Sequence, residues 1–174
     1  MISQALELKE TACMLVTALK ACKRRMATAE SLTGGLIAAS VISIPGASEC
    51  LEEGYITYSD AAKSKMLDIA REDIREWKAV SENTARAMAE NVARIAGCEY
   101  GLSATGVAGP DKEDGQDVGT VFIGCSYPDE NGNRSCEVRR LSLSGTRNEI
   151  RTRTVLQAMK LLLGHMPAGQ TSRH

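Results

Sequence analysis

The segment from Met26 to Ile44, which reads MATAESLTGGLIAASVISI, is the feature that most constrains the fold. Its first five residues predict a short buried strand, and the residues from Ser31 onward predict a helix with two glycines in its first turns. Pro45 and Gly46 end that helix. A strand that runs directly into a helix is typical of α/β proteins, so we expect a sheet covered by helices.

Helices and strands alternate through most of the remaining chain. We predict helices over residues 3–24, 60–67, 81–96 and 146–163, and strands over residues 54–58, 100–105, 118–127 and 136–143. The last two strands flank the turn segment PDENGN and form a pair. Early alternation followed by a late hairpin predicts a three-layer α/β/α domain with a mixed sheet. We expect one domain over residues 1–166 and a disordered tail over residues 167–174.

Charge and cysteine spacing argue against several classes of function. The 174 residues include 21 basic and 22 acidic side chains, and a net charge of -1 gives no general attraction to nucleic acid or to an anionic membrane. None of the six cysteines stands in a CxxC spacing and both histidines lie near the C-terminal end, so we predict no metal site. We also predict no cofactor. We predict neither a signal peptide nor a membrane span, and we expect a cytoplasmic protein with reduced thiols.

Four segments, in this order, resemble one known family. They read TAESLTGG (Thr28–Gly35), GYITYSDAAK (Gly54–Lys63), SATGVAGP (Ser103–Pro110) with VGTV (Val118–Val121), and SGTRNEIR (Ser144–Arg151). Together they resemble the CinA C-terminal domain family over about residues 5–163. The resemblance implies that family's fold and a metal-independent nicotinamide-nucleotide amidase, which hydrolyses the carboxamide of nicotinamide mononucleotide to nicotinate mononucleotide and ammonia. It also implies a homo-oligomer, most simply a two-fold dimer.

Ser31, Tyr58 and Lys63 are the predicted catalytic residues. Amide hydrolysis needs a nucleophile, a base and a group that stabilises the oxyanion. The residues alone leave Ser31 open as a helix N-cap, Lys63 as a solvated helix lysine and Tyr58 as a packed strand aromatic. The resemblance makes Ser31 the nucleophile, Lys63 the general base and Tyr58 a proton relay or the residue that orients Ser31, and the roles of Tyr58 and Lys63 are open to exchange.

A further set of residues is predicted to bind the nucleotide substrate: Glu30, Thr33, Gly34, Gly35, Thr105, Gly106 and Arg147. The two glycines after Thr33 let a ligand approach the backbone closely. The turn after Thr105 is open to two interpretations: it presents N–H groups to a phosphate or a carbonyl, or it is an ordinary connection. Arg147 can pair with the substrate phosphate. Glu30 is open to three interpretations: it binds ribose hydroxyls, it orients Lys63, or it is a carboxylate near a helix start without a role in the site.

Three parts of the sequence depart from the family pattern. Leu32 stands where a cysteine is common, Thr146 stands where the family has Asp, and GPDKEDGQDV (Gly109–Val118) replaces a glycine-rich loop that ends in Lys-Pro. This loop is acidic, and beside the site it would disfavour an anionic phosphate. Two alternatives are therefore kept: an amidase for another small amide, and a non-catalytic nucleotide- or partner-binding module of the same fold.

Overall fold

The computed structural model describes the backbone of residues 2–167 and the side chains from residue 4 onward. The helices are α1 (Ile2–Ala21), α2 (Leu36–Ile42), α3 (Asp60–Leu67), α4 (Arg71–Trp77), α5 (Glu82–Ile95) and α6 (Arg147–Gly164). The strands are β1 (Met26–Glu30), β2 (Leu51–Ile56), β3 (Tyr100–Gly106), β4 (Thr120–Pro128) and β5 (Arg134–Ser142). They form three layers around a mixed five-stranded sheet, which confirms the predicted fold class.

The sheet has the strand order β2-β1-β3-β4-β5. Strand β1 runs parallel to both of its neighbours, β2 and β3, whereas the β3–β4 and β4–β5 pairs are antiparallel. Every residue of β1 and β3 is buried, because helices cover both faces of the sheet at its centre. Helix α5 packs directly against β3, where a Cβ at Gly101 would lie 2.0 Å from the carbonyl oxygen of Ala89.

The helices divide between the two faces of the sheet. Helices α1, α2 and α6 share the larger core with β3 and β4, and its buried side chains include Leu15, Leu19, Ile37, Val41, Met159 and Leu162. Helices α3, α4 and α5 cover the opposite face around Leu67, Ile74, Met88 and Val92. The chain therefore crosses from β1 to β2 on one face and from β2 to β3 on the other.

The predicted start of the second helix at Ser31 is wrong, since α2 begins at Leu36. Gly34 and Gly35 have φ angles of 61° and 92°. These left-handed values do not occur inside a right-handed helix, and a residue with a Cβ adopts them at a cost. Residues 31–35 therefore form a turn between β1 and α2, which we call the serine turn.

Two other elements differ from prediction. Strand β2 covers Leu51–Ile56 rather than residues 54–58, because it pairs with β1 from Met26 to Glu30 and ends where β1 ends. Tyr58 therefore lies beyond the strand. Helix α4 was not predicted, because its seven residues are too short to establish a periodic pattern. The bounds of the remaining elements agree with prediction to within about three residues.

Three further sequence predictions concern the C-terminal tail, membrane spans and the cysteines. The predicted disordered tail, residues 167–174, lies outside the described residues except for Pro167. Within residues 2–167, no helix has both the length and the apolar character needed to cross a membrane. All six cysteines are free thiols, and Cys50, Cys98 and Cys125 are buried.

Candidate functional site

A crevice opens at the carboxyl ends of the three parallel strands. The chain leaves β1 toward α2 on one face of the sheet and leaves β2 toward α3 on the opposite face. Connections that leave neighbouring parallel strands on opposite faces create a crevice, which is where open α/β sheets bind ligands. A cleft of about 280 Å³ lies there, and Ser31, Tyr58 and Lys63 all line it. This volume suits a small molecule rather than a polymer.

Ser31 is the first residue after β1 and is 9% exposed. Its N–H donates to the carbonyl oxygen of Ala104 in β3 at 2.9 Å, and its own carbonyl accepts from the N–H of Gly34 at 3.1 Å. Neither bond uses the side-chain hydroxyl. The alternative that Ser31 caps a helix is wrong, because the N-cap of α2 is Gly35.

The side chain of Glu30 provides the cap that Gly35 lacks. Its carboxylate accepts from the N–H groups of Gly35 and Ile37, each at 3.0 Å, and from that of Ala38 at 2.9 Å. Glu30 is buried, and its negative charge lies at the positive end of the α2 dipole. The structure thus gives Glu30 a structural role at the base of the serine turn, and its predicted contact with substrate stays a prediction.

Thr33, Gly34 and Gly35 lie in the serine turn but do not line the cleft. A Cβ at Gly34 would lie 3.3 Å from Nη2 of Arg151, and one at Gly35 would lie 3.1 Å from Cδ1 of Ile56. Thr33 is fully buried, and its hydroxyl has no hydrogen-bond partner within the described part of the chain. The two glycines therefore accommodate protein side chains and left-handed backbone.

Lys63 brings a buried amine to the cleft. The residue is 1% exposed, and Nζ lies 3.7 Å from a carboxylate oxygen of Asp60, the one ion pair it makes among the described residues. Burial lowers the pKa of Lys63, because desolvation disfavours the ammonium form. Asp60 and, more weakly, Glu113 oppose this shift. A lysine in these surroundings is closer to acting as a base than an exposed lysine is.

Arg147 lies at the first residue of α6 and connects the two sides of the cleft. Its Nη2 donates to the hydroxyl of Tyr58 at 2.9 Å, and its Nη1 donates to the carbonyl oxygen of Gly109. Tyr58 is 62% exposed, so this contact with Arg147 orients a phenol that is otherwise in solvent. The guanidinium has further N–H groups available for an anion.

Thr146 is the N-cap of α6 and stands at the position where the family pattern has Asp. Its hydroxyl accepts from the N–H of Glu149, and the Glu149 carboxylate accepts from the N–H of Thr146 at 2.7 Å, which completes a capping box. These bonds to Thr146 lower the pKa of Glu149. Thr and Asp both serve as N-caps, so the substitution leaves Arg147 at the first turn of α6.

Thr105 and Gly106 line the cleft from the end of β3. The Thr105 hydroxyl donates to the carbonyl oxygen of Ala79 at 2.7 Å, which fixes its side chain. A Cβ at Gly106 would lie 2.7 Å from the carbonyl oxygen of Thr120, so packing against β4 requires glycine there. Both residues are therefore rigid parts of the cleft wall.

The acidic loop, Gly109–Val118, borders the cleft. Asp111, Lys112 and Glu113 line it, and Lys112 pairs with Asp117 at 2.5 Å. The carboxylate of Asp114 accepts from the N–H of Val80 at 3.2 Å, which attaches the loop to the segment before α5. Carboxylates and cations thus share the cleft wall.

The sequence did not predict one residue that contacts the serine turn. Arg151 donates from Nε to the carbonyl oxygen of Leu32 at 2.9 Å and from Nη2 to that of Thr33 at 3.0 Å. A signal was present, because Arg151 follows Arg147 by four residues and therefore lies on the same face of α6. The contact itself joins residues about 120 positions apart, which spacing alone does not reveal.

Comparison with known proteins identifies the family. The model of the CinA C-terminal domain matches residues 8–166. A competence-damage inducible protein of Geobacillus sp. is 40% identical over 153 residues, which cover 88% of this chain and 36% of that protein, so the chain spans about one third of its curated relative's length. The crystal structure of the competence/damage inducible protein CihA from Agrobacterium tumefaciens has a TM-score of 0.84 at 31% identity and covers 91% of this chain and 94% of that one. The crystal structure of competence damage-inducible protein A from Klebsiella pneumoniae has a TM-score of 0.83 at 30% identity. The match covers 91% of this chain and 98% of that one. The chain therefore belongs to the CinA C-terminal domain family.

Proposed function

We propose that the chain is an amidohydrolase that converts nicotinamide mononucleotide to nicotinate mononucleotide and ammonia. One observation carries the proposal: Ser31 and the buried Lys63 line the same cleft, at the carboxyl ends of the parallel strands. A serine beside a base is the arrangement that nucleophilic catalysis requires, whereas binding alone does not require it.

The reaction follows from the proton that each group holds. Neutral Lys63 accepts the proton of the Ser31 hydroxyl as Oγ attacks the carboxamide carbon. The tetrahedral intermediate collapses, the C–N bond breaks, and Lys63 returns the proton to the departing ammonia. Water then loses a proton to Lys63 as it attacks the carbonyl carbon of the acyl–Ser31 ester. The bond between that carbon and Oγ breaks, Lys63 returns the proton to Oγ of Ser31, and the acid product releases its own proton to solvent and leaves as the carboxylate.

Other residues of the cleft supply binding and charge stabilisation. Tyr58 relays the proton or orients Ser31, and the free N–H groups of Arg147 pair with the substrate phosphate. The N–H of Leu32 makes no hydrogen bond within residues 2–167, and Leu32 lines the cleft, so this group suits the oxyanion. A homo-oligomer, most simply a dimer, stays a prediction from the resemblance, and a cytoplasmic location stays a prediction from the cysteines.

Ammonia release from purified protein and nicotinamide mononucleotide tests the proposal. Ser31→Ala should lower kcat by about 1,000-fold or more, and Lys63→Ala by about 100-fold or more. Lys65→Ala is the matched control, because Lys65 is an exposed lysine on the same helix. Near-full activity of Lys63→Ala would refute the base assignment, and wild-type protein without turnover would refute the substrate.

A second candidate is an amidase for a small amide without a phosphate. The carboxylates of Asp111 and Glu113 in the cleft wall favour it, because they repel a phosphate dianion. Two measurements separate the candidates: the KM of the double variant Asp111→Asn, Glu113→Gln for nicotinamide mononucleotide, and the hydrolysis of nicotinamide mononucleotide and nicotinamide riboside by wild-type protein. If nicotinamide mononucleotide is the substrate, its KM should stay the same or fall. If wild-type protein hydrolyses nicotinamide riboside and not the mononucleotide, the second candidate is correct.

A further inference from the structure

We propose that Arg151 is a positioning residue that holds the serine turn in its reactive geometry. Its guanidinium is half-buried on α6 and donates two hydrogen bonds to consecutive carbonyls, those of Leu32 and Thr33, at 2.9 and 3.0 Å. These carbonyls belong to the first two residues after Ser31. Arg151 is not among the residues that line the cleft, so it acts through the turn rather than on substrate.

The two contacts restrict the orientation of two peptide groups. A peptide group is planar, so a fixed carbonyl also fixes the N–H of the next residue. The Thr33 carbonyl fixes in this way the N–H of Gly34, which donates to the carbonyl of Ser31 at 3.1 Å. A continuous set of contacts thus runs from Arg151 through Thr33 and Gly34 to the backbone of Ser31.

The serine turn needs such an external constraint because of its glycines. Gly34 and Gly35 have left-handed backbone, and glycine has the most conformational freedom to lose. The hydroxyl of Ser31 and the N–H of Leu32 belong to this turn, so its position decides whether both face the same reacting carbonyl. The planar guanidinium spans both carbonyls at once, which a lysine ammonium does not do with the same geometry.

A neighbouring arginine on the same helix provides the matched control. Arg153 donates from Nη1 to the carbonyl oxygen of Ser144 at 2.6 Å, a contact at the entry to α6. It resembles Arg151 in residue type, helix and bond type, but it does not contact the serine turn. Loss of Arg153 therefore reports what removal of a helix arginine does to the protein in general.

The first experiment rests on the proposed function and measures steady-state ammonia release. Arg151→Ala should lower kcat about 100-fold with KM changed less than about three-fold, because small misplacement of reacting groups costs this much. Arg151→Lys should recover part of kcat, and dilute guanidinium ion should raise kcat of Arg151→Ala alone. Arg153→Ala should keep the wild-type kcat. Wild-type kcat in Arg151→Ala, or a change confined to KM, would overturn the proposal.

The second experiment does not depend on the natural substrate. A fluorophosphonate probe reacts when Oγ of a nucleophilic serine bonds to phosphorus, fluoride leaves and the hydroxyl proton passes to the base. Mass spectrometry of the full chain gives the labelling rate at Ser31. Arg151→Ala should slow labelling about 100-fold and Arg153→Ala should not. Equal rates in all three proteins would overturn the positioning role.

The two experiments separate the possible failures. A wild-type protein that is labelled at Ser31 but does not hydrolyse nicotinamide mononucleotide contradicts the proposed substrate, and the labelling rates then decide the role of Arg151. A wild-type protein that is neither labelled nor active contradicts the nucleophile, and the role of Arg151 falls with it. If Arg151→Ala does not fold, Arg151→Lys is compared with Arg153→Lys by the same labelling rate.

Discussion

Replacement of Glu30 tests whether this carboxylate is a structural cap or a ligand contact. The side chain is buried and accepts three backbone N–H bonds at 2.9 to 3.0 Å from the start of α2. Glu30→Ala removes both carboxylate oxygens, the three hydrogen bonds that they accept and the negative charge, whereas Glu30→Gln keeps one oxygen and a similar volume. The two variants therefore remove different fractions of the same cap.

The expected magnitude follows from the donors left behind. A buried donor that loses its partner costs about 1 to 3 kcal/mol. Three donors lose their partner in Glu30→Ala, of which that of Ile37 is buried and those of Gly35 and Ala38 are half-buried, so we expect the free energy of unfolding to fall by about 3 kcal/mol. This is a large fraction of the roughly 5 to 15 kcal/mol that holds a typical domain together. Glu30→Gln should cost about half as much, because its amide oxygen still accepts from the turn.

Urea denaturation measures both variants, with the m-value as the check that unfolding stays two-state. Glu99→Gln is the control, because the partly exposed Glu99 also accepts a backbone N–H bond, from Arg25, far from α2. A loss below about 1 kcal/mol in Glu30→Ala would refute the capping argument. If stability is unchanged while KM for the substrate rises, Glu30 is a ligand contact instead.

Three further predictions concern pH, backbone and capping. Burial lowers the pKa of Lys63 from its ordinary 10.5, so between these two values the unfolded chain binds more protons than the folded chain. The free energy of unfolding should therefore rise with pH across this window. Lys63→Met should remove the rise, and Lys65→Met should keep it. Gly35→Ala should cost about 1 to 2 kcal/mol in urea denaturation because φ is 92°, whereas Gly164→Ala, which meets open space, should cost nothing measurable. Thr146→Ala should cost about 1 kcal/mol by thermal or urea unfolding, and an unchanged midpoint would contradict the capping box.

The parts of the fold that follow local patterns could be predicted from the sequence. Strand β1, helix α5 and the final hairpin have strong signals in burial pattern, capping and turn residues, and their observed bounds lie close to the predicted ones. The candidate catalytic residues came from the family resemblance, because each is a common residue type in isolation. The meeting of the loops after β1 and β2 follows from parallel pairing, which the sequence alone did not specify.

The remaining differences arise from contacts that spacing does not encode. The cap of α2 was missed because the N-cap is a glycine and the carboxylate that replaces its side chain lies five residues earlier, in β1. Arg151 was missed because its partners lie in the first fifth of the chain. Both cases involve a side chain that satisfies backbone groups of another element, and only the assembled fold brings them together.

The location of β2 at the edge of the sheet predicts how the proposed amidase activity is lost on denaturation. This strand is paired on one side, and the segment that leads to Lys63 leaves from its end. If β2 detaches from β1, the amine of Lys63 moves away from Ser31 while the remaining four strands stay paired. Turnover should therefore disappear at a lower denaturant concentration than the spectroscopic signal of the whole protein. The activity assay would then report the pairing of β2 with β1 rather than global unfolding.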